Sequence, residues 1–107
     1  MDKFPLEEMM EFGEAFTLKR LADVPETQIN LVCLPPKQSL PAHNANSNVR
    51  LLGLRGKLTL TLEGKISELA FHELAAVSFG THMQIANETD ENAAFLVIKT
   101  PNPSEMK

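Results

Sequence analysis

The run Lys57-Leu58-Thr59-Leu60-Thr61-Leu62 limits the possible folds more than any other stretch of the chain. Its strict alternation puts Leu58, Leu60 and Leu62 on one face and Lys57, Thr59 and Thr61 on the other, the pattern of a β-strand with one packed side. Glu63-Gly64 follows, and because Gly tolerates the positive φ of a two-residue hairpin, the chain is predicted to turn straight into a second strand over Lys65 to Leu69. Comparable runs recur at close intervals. Ile29 to Leu34 ends at Pro35-Pro36, neither of which can donate to a ladder. Val49 to Leu54 closes at Arg55-Gly56, and Leu74 to Phe79 and Gln84 to Ala86 flank Gly80-Thr81. Phe95 to Ile98 lies between a polar loop, Asn87 to Asn92, and Pro101-Asn102-Pro103. About eight short antiparallel strands without helical interruption predict an all-β protein, a small double-sheet jelly roll that leaves few open edges. Only the start differs: Leu6, Met9 and Met10 fall at helical spacing, and Gly13 limits any helix to about two turns. Residues 1–24 are therefore read as an N-terminal arm or short helix with the first strands, 25–100 as the barrel and 101–107 as a tail.

The chain has 107 residues, enough for one core, and its 43% apolar content is spread along it, as in a compact domain. A net charge of −4 with scattered Lys and Arg, of which Lys19-Arg20 is the only adjacent pair, leaves no basic stripe to collect phosphates, so no nucleic-acid partner is expected. Cys33 is the only cysteine, which rules out an intrachain disulfide, and its apolar context marks it as a small buried hydrophobe. Acids interrupt MDKFPLEEMMEF where a signal peptide needs an apolar stretch, and no 18 apolar residues run together. A cytoplasmic protein with no membrane partner is the expectation.

Two segments carry a resemblance. KQSLPAHNANSNVRLLGLRG, Lys37 to Gly56, and HELAAVSFGTHMQIAN, His72 to Asn87, resemble the two signature motifs of the cupin family. In the first, a Gly, His-x-His, Glu and closing Gly fall on Lys37, His43, Ala45, Val49 and Gly56. In the second, Gly, Pro, Gly, His and Asn fall on His72, Ser78, Gly80, Met83 and Asn87. The resemblance covers roughly residues 29–100 and implies a double-stranded β-helix, the jelly roll of RmlC-like and cupin 2 conserved-barrel proteins. Family enzymes use three His and one Glu inside the barrel to hold a divalent metal. Of those four positions only His43 keeps a ligand, and one imidazole does not hold a metal.

The expected site is thus a mainly apolar pocket lined by His43, Ala45, Val49, Met83, Ile85 and Asn87. It would bind a small molecule or serve a regulatory role, with no cofactor expected and the question of catalysis left open, leaning against it. In the alternative, a one-residue shift at Gly80-Thr81 swings His82 inward, with Gln84 or Asn48 bridging. His43 and His82 then share a zinc, iron, manganese or nickel ion in a reduced oxygenase or isomerase site. A third possibility is a filled interior in a protein that acts only through its surface. The resemblance also implies a homodimer with the N-terminal segment against the partner, in keeping with the apolar cluster Phe4, Met9, Met10 and Phe12.

Other residues carry less. His72 is expected in an exposed loop. Arg50 suits a surface or interface ion pair, or a ligand carboxylate at the barrel mouth. No Gly-x-Ser-x-Gly or phosphate-cradling loop occurs, and Glu7-Glu8 and Asp90-Glu91 lie in solvated contexts.

Overall fold

The computed structural model describes residues 1–106. A single helical turn, α1 (Leu6–Met9), precedes β1 (Thr17–Val24), β2 (Thr27–Leu34), β3 (His43–Asn44), β4 (Asn48–Arg55), β5 (Lys57–Leu62), β6 (Lys65–Ala70), β7 (Leu74–Val77), β8 (His82–Ala86) and β9 (Ala93–Thr100), with a 3-10 turn at Pro103–Glu105. One sheet has five strands in the order β1-β2-β9-β4-β7, and the other has four in the order β3-β8-β5-β6. Neighbouring strands pair antiparallel throughout, giving the jelly roll expected of the sequence.

The inner faces pack on each other. Leu58 and Leu60 of β5 meet Val32 and Leu34 of β2, Leu51 of β4 and Phe95 of β9 in one buried cluster. The turn joining β5 to β6 has φ 49° at Glu63 and 79° at Gly64, the two positive values of a type I′ hairpin. Where β4 passes β6 only glycine fits at position 53, because a Cβ there would collide with the Ala70 carbonyl.

The outer face of the five-stranded sheet is also apolar. Register aligns Leu74, Leu52, Leu96 and Leu31 in a row across β7, β4, β9 and β2. Met9, Met10 and Phe12 lie over Leu31, Cys33, Ala94 and Leu96 of their own chain, and Arg55 stacks on Phe12 at 5.1 Å. The arm is shorter in helix than its spacing predicts, because after one turn Met10 is already extended (ψ 131°). Cys33 is buried, as its apolar context indicated.

Candidate functional site

The barrel is closed at one end and open at the other. At the closed end, Leu34, Ala93 and Phe95 have no exposed surface. The loop after β8 is tied across this end by Asn87, whose Nδ2 donates to the carbonyls of Leu34 (2.9 Å) and Glu91 (2.7 Å). Its Oδ1 accepts from the Thr89 amide (3.0 Å) and hydroxyl (2.7 Å). Such a set leaves the amide no free capacity for a ligand.

At the open end, where β2, β4 and β8 begin and β9 finishes, a cavity of about 130 Å³ lies between the sheets. Val32, Val49, Leu51, Met83, Ile85 and Val97 form its apolar walls, and Asn30, His43, Asn46 and Lys99 supply polar groups. Five of the six pocket residues expected from sequence line it: His43, Ala45, Val49, Met83 and Ile85. Asn87 does not. It shares the inward parity of Met83 and Ile85, but two further residues along β8 carry it to the closed end, where it holds backbone. The interior is not filled, since 130 Å³ exceeds the room for a water or two.

The histidines separate. His43 pairs with Met83 and its Nδ1 donates to the Pro41 carbonyl at 3.0 Å, so this histidine both caps a strand entrance and borders the cavity. His82 pairs with Asn44 on the opposite face, its Nδ1 at 2.9 Å from Asn44 Oδ1, and is exposed. Leu60 opposite Ile85 and Leu62 opposite Met83 fix the register that keeps Met83 and Ile85 inside. The shifted register is not adopted, because it would turn both out of the core. Gln84 lies on the outer face with His82, and Asn48 Oδ1 accepts from the Phe79 amide, so neither bridges the imidazoles. Among the described residues no group of three or more His, Cys, Asp or Glu could hold a metal ion. With Ala45, Val49 and Met83 at three of the four ligand positions, the residues do not fit the family's metal.

Lys99 was not legible as a site residue. It extends β9 past Ile98 with the inward parity of Phe95 and Val97, and it lines the cavity. Reading that alternation one step further would have found it. Gln28 and Asn30 hold the same relation to Val32 and Leu34 on β2, and both are buried. Asn30 Oδ1 accepts from Arg20 Nε (3.0 Å), Asn30 Nδ2 donates to Gln28 Oε1 (3.3 Å), and Gln28 Nε2 lies 3.5 Å from Asp23 Oδ1. Partial burial and the nearby Arg20 guanidinium hold the Lys99 ammonium below its ordinary pKa of 10.5. Arg50, considered for a carboxylate at the mouth, lies instead on the outer face, with Nη1 3.4 Å from Thr100 Oγ1.

No family model matches the chain. An uncharacterised protein of Methanocaldococcus jannaschii is 30% identical over 105 residues, which are 94% of this chain and 90% of that protein. Its crystal structure, described as that of an RmlC-like cupin family protein with a double-stranded β-helix fold, matches with a TM-score of 0.80 over 89% of this chain and 91% of that one. The chain belongs to the RmlC-like cupin family. A cupin superfamily protein of Desulfitobacterium hafniense (TM-score 0.81, 16% identity, 91% of this chain and 87% of that chain) has the same fold. So does the cupin domain of Cnp3 from Schizosaccharomyces pombe (TM-score 0.79, 16% identity, 92% of this chain and 74% of that chain). This cupin keeps the family's backbone where it has lost the family's residues. Lys37 and His72, at the two motif glycines, have φ 62° and 69°, in the left-handed region that favours glycine. His72 is exposed, as expected, with its ring against Phe71.

Proposed function

We propose that this cupin binds a small molecule at the open end of its barrel instead of running a metal-dependent reaction there. The observation that carries this reading is the replacement of three of the four family ligand positions by Ala45, Val49 and Met83, all lining a 130 Å³ cavity. Apolar walls with a few convergent polar groups are what small-molecule sites generally offer. The test uses protein labelled with ¹³C at the methionine methyls and titrated with pentanamide, a neutral probe of suitable size. The expected result is a saturable shift of Met83 with Met1 and Met106 unmoved. A Met83 signal that stays put at tens of millimolar would end the proposal. Near-stoichiometric metal by elemental analysis, lost on His43→Ala, would replace it with the metalloenzyme reading.

The outer leucine row supports a second, compatible reading, self-association. The arm covers the β2 and β9 part of the row, while Leu74 at its far end remains 62% exposed. An apolar row that continues past its own cover suits a second copy of the same sheet in an isologous contact. Light scattering after size exclusion should give a dimer, and Leu74→Glu a folded monomer. A monomeric parent at tens of micromolar would remove this reading.

A further inference from the structure

The cavity has a charged wall. Lys99 lines it, and among the described residues its ammonium makes no ion pair and no hydrogen bond. Among the described residues no Asp or Glu lines the cavity. Arg20, exposed outside the cavity lining with its Nε held by Asn30 Oδ1 at 3.0 Å, adds a second cation near Lys99 and repels it. The acid on this side is Asp23, which is exposed and whose Oδ1 is already occupied by Asn102 Nδ2 at 2.6 Å and approached by Gln28. A half-buried lysine lining a largely apolar cavity, with another cation nearby and no acid in the described lining, is an arrangement that folding alone disfavours. An anion entering from the open end corrects it.

We infer that the ligand is a small organic monocarboxylate, with its carboxylate on Lys99 beside Arg20 and its apolar tail among Val32, Met83 and Ile85. This rests on the small-molecule reading above and names its ligand class. Size follows from the volume: an apolar cavity of about 150 Å³ holds one benzene, so 130 Å³ admits a tail of about six non-hydrogen atoms. Charge count follows from the walls, because the cations sit at one end only, and a second carboxylate would lie unpaired against Met83 and Ile85. A charge-assisted hydrogen bond in a partly dry site contributes enough to separate an acid from its amide at least about tenfold.

The experiment compares pentanoate with pentanamide at pH 7, reading the Met83 methyl in the parent and in Lys99→Met. Pentanoate should bind at least about tenfold more tightly than pentanamide to the parent. Lys99→Met should erase that preference while still binding pentanamide, which also shows that the variant is folded. Equal affinity of acid and amide in the parent, or a preference that survives Lys99→Met, overturns the inference and leaves cavity binding intact. Silence of Met83 towards both probes removes the small-molecule reading itself. Should Lys99→Met not fold, the parent alone decides. Pentanoate affinity must fall as Lys99 loses its proton below pH 10.5, while pentanamide affinity stays level. A pentanoate affinity flat to pH 10.5 counts against the ammonium.

Discussion

The same inward-facing line of residues has opposite character at the two ends of the barrel. On β2 it runs from Gln28 and Asn30 through Val32 to Leu34, and on β9 from Lys99 through Val97 to Phe95. At the Leu34 and Phe95 end every side chain is apolar and fully buried, and the loop above is tied down by Asn87. At the Lys99 end the sheets enclose open space, Leu18 on the rim is 46% exposed, and the buried amides hold one another in a chain from Arg20 to Asp23. Strand parity decides which way a side chain points and nothing about what it does there. Apolar burial is concentrated at one end of each strand, and polar groups gather at the other.

Substitutions at the two ends should separate accordingly. Phe95→Ala, in the closed end, should cost about 3 to 5 kcal/mol in denaturant unfolding, whereas Met83→Ala, beside space already empty, should fall near about 2 kcal/mol. Equal losses would erase the distinction. Asn87→Ala strips the tie from the closed end and should cost roughly 1 to 3 kcal/mol without changing pentanamide binding at Met83. An altered affinity would show that the ends communicate. His72→Gly relieves a left-handed residue in an exposed turn and should raise stability by about 1 kcal/mol, since its exposed side chain contributes little.

The smallest effect has a distinctive pH signature. Because the folded state holds Lys99 below its ordinary pKa of 10.5, the unfolded chain binds more protons between the folded value and 10.5, and stability rises with pH across that window. Lys99→Met should therefore melt slightly higher than the parent at pH 7, with the gain shrinking towards pH 10.5. A variant that melts lower at neutral pH would mean that the ammonium stabilises the empty barrel.

The facing of the strand interiors was far more legible in the sequence than the strand ends, and particular residues show why. Leu58, Leu60 and Leu62 alternate against threonines, so their facing and the Glu63-Gly64 turn follow from local rules, and the structure has both. The resemblance to the cupin motifs placed Ala45, Val49 and Met83 together, and the turn positions at Lys37 and His72 keep a left-handed backbone even without glycine. Asn87 misled, since parity was right but distance along the strand put it at the wrong end. Lys99 was missed because a polar residue at a strand terminus looks like loop, and only pairing across β2, β9 and β4 shows that the ladder continues through it. The bounds of β1, within the first strands expected before residue 25, lay hidden because its alternation is broken by the irregularity between Arg20 and Ala22.

The place of β9 sets a constraint on biogenesis. It follows every other strand in the chain, yet it is the middle of the five-stranded sheet, hydrogen-bonded to β2 on one side and β4 on the other. While a ribosome is still making residues 93–100, the facing edges of β2 and β4 have no partner, and Phe95 is missing from the heart of the core. Unpaired edges of that kind invite pairing with other chains. A nascent chain of this cupin thus carries two open strand edges in the middle of one sheet until its final strand emerges.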